Sequence, residues 1–504
     1  MSPDSQSASV LLASPSPRRW LVLSGILAAE VLILCLPVTW WGIAAAVLLG
    51  VILFFSLVFS VIQGRGEVPL LGWALIFPLG YHFLIFPQEQ ALITADRTLI
   101  ALLLLAAFFA QRNPPRITVS SSSLRKSAVW WVIFLLGAAL TIPQAKSPLS
   151  SLHVVIDALA LPGVLAWYVL RYFDVRKHLS LLHAFTCLMS MYVAAIAVME
   201  VVLQRDLLPV TGGALYFAGD YSGEGREILI RPNGPFSSDN SLAIVGLLSF
   251  FLILFLKKAS PERMPTWQTV LHRMGLAAAL VSALLPMFRS VVIALIAAVV
   301  IDVFYQAGRR RVARFAILFL FAGGFLLLRL TLPDVFEERT DPEHVYGRVA
   351  QYQQSFAMFL DHPLTGVGLN NFGEAAQNSK YVMYYQGYES VDSPHSNLSA
   401  VLAETGIIGF VPFIASQVFL VSAFWRRRRI QSSDSTLVWK TFLFVFVGWW
   451  LNGLTLTILY AGDSNMWYLF VLAVLYKFAV TNEAVPAATA PLAPPQGLRY
   501  APQR

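Results

Sequence analysis

The sequence predicts an all-α polytopic membrane protein, and three observations lead there. Of its 504 residues 57% are hydrophobic and only 13% charged, about half the charged share of an ordinary soluble domain. Apolar runs of roughly 20 residues, enough to cross a bilayer as helix, recur from Trp20 to Phe478. Lys and Arg gather in alternate loops, the asymmetry that orients membrane proteins.

The elements follow in order. Residues 1–19 form a polar tail rich in Ser and Pro, with Arg18 and Arg19 ahead of the first apolar run. A second run follows at once, so the first reads as an uncleaved helix and not as a signal peptide. The N-terminal block (20–203) holds predicted spans 20–36, 39–62, 68–87, 91–110, 128–143, 152–171 and 180–203. After a polar segment (204–239), the central block (240–332) holds 238–256, 271–287, 290–307 and 313–331. A long loop (333–394) precedes the last block (395–480), with spans 395–424, 437–459 and 464–480. The total is about 12–14 transmembrane helices. The Pro/Ala-rich tail (481–504) is expected to be disordered and cytoplasmic. Mean hydropathy of +0.65 agrees with this layout.

Charge sets the orientation. Arg18/Arg19, Arg65, Arg112/Arg116/Arg125/Lys126, Arg171/Arg176/Lys177, Lys257/Lys258, the GRRRVAR loop (308–314) and WRRRRI (425–430) all fall on one side. That side is cytoplasmic and both termini lie on it. The formal charge of +8 is therefore spent on topology anchors that touch anionic membrane lipid, and nucleic acid is not an expected partner. Cys35 and Cys187 both sit inside apolar runs, which suggests neither a disulfide framework nor a metal site.

Two long segments then lie on the outer face: 204–239 and 333–394. In the second, GRVAQYQQSFAMFLDHP (347–363) places Val349, Tyr352, Phe356, Phe359 and Leu360 on one face of an amphipathic helix that Pro363 ends. The expected use of that face is packing on the bundle. LTGVGLNNF then reads as a Gly-punctuated turn.

Three polar residues stand at predicted helix mouths on this side. Arg231 precedes a span in IRPNGPFSSDN, where Ser237, Ser238 and Asp239 supply a cap; the alternative is an arginine that snorkels to the interface. Arg289 lies in LPMFRSVVIALIA between two spans with almost no loop, against the positive-inside bias. A charge at that depth is usually functional or paired. His395 stands where the long loop re-enters the membrane, in SPHSNLSAVLAETGIIGF. Two guanidiniums suit a phosphate or diphosphate, and an imidazole beside them takes a proton from a hydroxyl or donates to phosphate oxygen. Arg348 is a further candidate phosphate contact, or else pairs with Asp341 or Glu343. His153 and Asp157, four apart, read as a structural hydrogen bond, and His362 as a turn residue. Glu404 lies nine residues past His395 and reads as a helix-packing residue rather than an acid/base partner. A transporter for an anionic lipid or solute would instead place polar residues at the bilayer midplane with repeat symmetry, and neither is evident.

IRPNGPFSSDN, MFRSVVIALIA, GRVAQYQQSFAMFLDHPLTGVGLNNF and SPHSNLSAVLAETGIIGF resemble, in that order, the landmarks of the bacterial O-antigen ligase/polymerase superfamily. The resemblance covers roughly residues 225–425. In this chain Ser396 stands between His395 and Asn397, one residue more than the family's His–Asn pair. The resemblance implies a metal-independent, cofactor-free GT-C-type glycosyltransferase in the inner membrane. The donor would be an undecaprenyl-diphosphate-linked glycan, and the acceptor lipid A-core (ligase) or a growing glycan (polymerase of O-antigen or exopolysaccharide). By the same carry-over Arg231 and Arg289 hold the diphosphate, His395 binds phosphate or deprotonates the acceptor, and Arg348 and Asn397 are secondary substrate contacts.

Overall fold

The computed structural model describes residues 55–80, 85–86, 93–110, 121–208, 231–260, 265–305, 343–429 and 432–481. The predicted spans 20–36 and 313–331, most of 39–62 and both tails lie outside the described residues. The rest is an all-α polytopic membrane protein, with six helical segments long and apolar enough to cross a bilayer. Among the described residues, strand is confined to two two-residue pairs: Ile85–Phe86 (β1) with Ile93–Thr94 (β2), and Tyr384–Tyr385 (β3) with Tyr388–Glu389 (β4).

In chain order the helices are α1 (Glu67–Ile76), α2 (Ala95–Ala110), α3 (Ser122–Thr141), α4 (Pro148–His153) and α5 (Leu161–Tyr172). They continue with α6 (Leu179–Leu203), α7 (Asp239–Ala259), α8 (Thr266–Leu284), α9 (Arg289–Phe304) and α10 (Glu343–Asp361). The last are α11 (Phe372–Ala376), α12 (Asn397–Arg428), α13 (Ser433–Gly453) and α14 (Gly462–Thr481). A π turn (Val154–Ala160) joins α4 to α5, so the predicted span 152–171 is one continuous but locally underwound segment.

The last helix is the central post of the bundle. Its apolar residues surround the whole circumference, which is the pattern of a helix buried on every side, and 89% of its apolar window is buried. Trp467 stacks on Phe77 with ring centroids 5.6 Å apart, and Tyr468 stacks on Trp449 at 4.7 Å. Its first turn is polar yet buried, so every group needs a partner: Asp463 Oδ1 accepts from Ser241 Oγ at 2.7 Å, and Asn465 Nδ2 donates to the Ala158 carbonyl at 2.9 Å. These bonds tie α14 to α7 and to the π turn. A buried pair, Lys440 Nζ to Asp302 Oδ1 at 2.6 Å, joins α13 to α9. Asp157, expected to bond His153, instead takes the Arg97 guanidinium of α2 bidentately at 2.7 Å through both oxygens.

Two expectations change. The span 395–424 is not an unbroken helix: Gly406 (φ 58°, ψ −155°) interrupts α12, a conformation essentially restricted to glycine. The turn 363–368 docks into that interruption. Val367 and Gly368 donate to the Ala403 and Glu404 carbonyls at 2.9 and 3.0 Å, and Ile407 and Ile408 donate to the Pro363 and Leu364 carbonyls at 3.0 and 3.2 Å. The loop thus repairs the hydrogen bonds that the break frees, as low-dielectric surroundings require. An added Cβ at Gly366 or Gly406 would collide with the opposing backbone.

The amphipathic helix α10 also packs the other way round. Ala350, Gln351, Gln354, Ser355 and Met358 are buried, whereas Tyr352, Phe356 and Leu360 of the predicted apolar face are exposed. Small and amide side chains let α10 lie close against α12, and the large apolar residues point outward.

Candidate functional site

Arg231, Arg289, Arg348 and His395 come from four separate segments and line one cavity of about 890 Å³. Each is held by a different local device.

Arg231 rides on the turn ahead of α7. Gly234 takes a left-handed φ of 56°, and Ser238 caps α7 by accepting from Ser241 N at 3.2 Å. The turn is anchored from below by Glu200, fully buried near the end of α6, whose carboxylate accepts from Gly234 N at 2.7 Å and Leu207 N at 3.4 Å. Glu200 was missed in the sequence. The signal was a lone carboxylate in the last turn of an apolar span, where a buried charge demands partners.

Arg289 opens α9 after a four-residue reversal from α8, in which Met287 adopts φ 60°. Beside it Ser290 Oγ donates to Asn452 Oδ1 at 2.7 Å, and Asn452 Nδ2 donates to the Gly448 carbonyl at 2.7 Å. The start of α9 is thereby fixed to α13. The Arg289 side chain itself is exposed to the cavity.

Arg348 projects from α10, half-buried, and its charge acts on Arg289 across the cavity. The alternative partners Asp341 and Glu343 have side chains outside the described residues. The far end of α10 is pinned by Lys380, 2.6 Å from Asp361. Hydrogen bonds from Lys380 and Tyr381 hold the Asp361 carboxyl below its ordinary range.

His395 follows Pro394 in a left-handed conformation (φ 40°) and immediately precedes Ser396, which caps α12 through Ser399 N. The extra residue in His395-Ser396-Asn397 is therefore the helix cap. The structure does not bring Asn397 to the cavity: it is fully buried, and its Oδ1 accepts from Leu459 N at 2.8 Å in the connection between α13 and α14. Glu404 is not a proton-transfer partner of His395. Its two oxygens grip the loop backbone, accepting from Asn370 N at 2.9 Å and Phe372 N at 3.0 Å. The same turn is clamped from the far side, where Leu369 N donates to Thr141 Oγ1 at 3.1 Å and Ser151 Oγ donates to the Leu369 carbonyl at 2.7 Å. His362 serves the turn through its backbone, its carbonyl accepting from Gly366 N at 2.8 Å.

The electrostatics are uneven. Asp239 lies 3.8 Å from Arg231, and the Arg231 guanidinium sits 5.7 Å from the Phe288 ring centre, beside Arg289. Glu389 supplies a second carboxylate on the loop wall. Three guanidiniums around a half-open hollow form a donor set for an anion with several oxygens, and His395 adds an acid/base group at its edge.

No curated protein matches this chain. A family model described as O-antigen ligase matches residues 240–414, the stretch that carries Arg289, Arg348 and His395. That match, together with the apolar helices, ties the protein to membrane steps of O-antigen and lipopolysaccharide biosynthesis, to a lipid-linked glycan and to its acceptor. The match covers 175 of the 504 residues and supports a place in the O-antigen ligase superfamily, with the ligase or polymerase activity of that family.

Proposed function

We propose that the protein is an O-antigen ligase of the bacterial inner membrane, with both termini cytoplasmic and the cavity open to the periplasm. The donor is a glycan on undecaprenyl diphosphate and the acceptor is a hydroxyl of lipid A-core. The observation that carries this reading is the convergence of Arg231, Arg289, Arg348 and His395 on one cavity.

In this reading the acceptor oxygen attacks the anomeric carbon, and the bond from that carbon to the phosphate oxygen breaks. The acceptor proton passes to His395, or to phosphate with His395 as donor elsewhere on the anion. Negative charge on the departing diphosphate grows as the bond breaks. Guanidiniums aimed at it therefore stabilise the transition state more than the ground state. They supply this charge without a divalent cation, so a chelator leaves the rate unchanged. The activated donor carries the driving force for transfer.

The test is the lipid-linked glycan pool of a strain lacking the protein. Full-length polymer accumulates on undecaprenyl diphosphate if it is a ligase, and single repeat units accumulate if it is a polymerase. Restoring the gene with Arg289→Ala or His395→Ala gives inserted protein and no transfer; transfer at the wild-type rate in both variants overturns the site.

A further inference from the structure

The loop wall of the cavity differs in chemistry from the wall that carries Arg231 and Arg289. Here β3 and β4 form a tight hairpin whose turn residues, Gln386 and Gly387, both have left-handed φ (52° and 86°), the backbone that closes two-residue hairpins. Ser390 N donates to the Met383 carbonyl at 2.8 Å and locks its base. Tyr346 of α10 packs against it, with ring centroids 5.7 Å from Tyr388 and 5.9 Å from Tyr385. Tyr388 and Glu389 then line the same cavity as the arginines.

Backbone bonds and the Tyr346 contact are enough to hold this hairpin. They do not account for two further features. Tyr384 is 63% exposed. Its phenol is bonded to the exposed carboxylate of Glu389, which raises the phenol's pKa above the ordinary value. Tyr388, half-buried on the cavity wall and braced by Tyr346, beside a solvent-facing carboxylate that the Tyr384 phenol orients, fits a pyranose ring. The C–H face of the sugar lies on the aromatic ring, and adjacent hydroxyls donate to the carboxylate oxygens. Burying such a surface costs little conformational entropy, because a tyrosine side chain has few rotatable bonds. A carboxylate beside the aromatic surface would also repel a second diphosphate, which favours a polyol at that place.

We infer that the Tyr346–Tyr388 stack with Glu389 is a saccharide subsite, which takes a sugar ring of the donor glycan or of the acceptor while the arginines hold the diphosphate. This rests on the glycan-transfer reading and assigns that site a second, separable half. The test is calorimetric binding to the full-length protein in detergent. Three probes are used: inorganic pyrophosphate, core oligosaccharide released from lipopolysaccharide, and repeat-unit oligosaccharide released from the lipid-linked donor. Glu389→Gln and Tyr388→Leu are expected to weaken one oligosaccharide at least tenfold and leave pyrophosphate within twofold. Tyr388→Phe keeps the ring face and binds as wild type. The oligosaccharide that loses affinity identifies the source. The inference is overturned if neither oligosaccharide binds the wild type, or if both bind Glu389→Gln and Tyr388→Leu unchanged. Should Tyr388→Leu lose pyrophosphate as well, Glu389→Gln decides alone. Failure of the underlying reading looks different: pyrophosphate binds neither wild type nor Arg289→Ala, or binds both equally.

Discussion

The wall built by α7 and α9 and the wall built by the 343–394 region both present arginine to the cavity, yet they are held by different means. Arg231 and Arg289 stand at helix starts whose neighbours are locked into the bundle, by Glu200 on one side and the Ser290–Asn452 pair on the other. Arg348 and the residues leading to His395 belong to a region docked through backbone. The 363–368 turn fills the break at Gly406, and Glu404 grips the residues after it. Both walls use a buried glutamate on backbone N–H groups. Glu200 holds a turn onto an intact helix, whereas Glu404 holds a loop onto a broken one. The loop wall therefore depends more heavily on a few positions, and it is the wall that substitutions should detach first.

The largest effect is expected at Gly406. A side chain there meets an unfavourable backbone conformation, costing about 1–3 kcal/mol, and it strikes the Leu364 carbonyl. Gly406→Val should undock the 363–372 turn, read as faster amide exchange across residues 363–372, and abolish transfer. Normal protection in that variant would remove the claim that the break is the docking site. Next comes Glu404→Gln, which leaves one of two backbone N–H groups facing an amide NH2, at a cost of about 1–3 kcal/mol. It should raise exchange at Asn370 and Phe372 while α7 and α9 stay protected. Glu200→Gln tests the opposite wall: transfer falls about tenfold, a change of about 1.4 kcal/mol, and protection at Gly234 drops without any change in the 363–372 turn. Coupled loosening of both walls would break the contrast. The smallest effect is expected from Arg231→Lys. It keeps the charge but loses the planar fork, and should raise KM for the lipid-linked donor more than it lowers kcat.

Much of this was legible in the chain. Apolar runs and loop charges indicate the polytopic helical class, because a bilayer admits few other backbones. Arg231, Arg289 and His395 stood out because each breaks the apolar pattern at a helix mouth. The amphipathic pattern of 347–363 marked a helix correctly but misled about its face: periodicity reports where apolar residues lie and not whether protein or another medium covers them. Asn397, expected to be a substrate contact, lies buried against the connection between α13 and α14, since a polar residue next to a candidate base looks the same in sequence whether it faces a cavity or a neighbouring helix.

What the sequence by itself determined is the solvent of each segment and the residues that violate it, since both follow from local transfer free energies. Only the tertiary structure decided that four distant segments share one cavity, that Gly406 opens α12 to receive a turn ending 38 residues earlier at Gly368, and that Glu200 and Glu404 serve backbone. Those are pairings between groups far apart in the chain. Their partners are selected by packing and by the need to satisfy buried N–H and carbonyl groups, which no local pattern records.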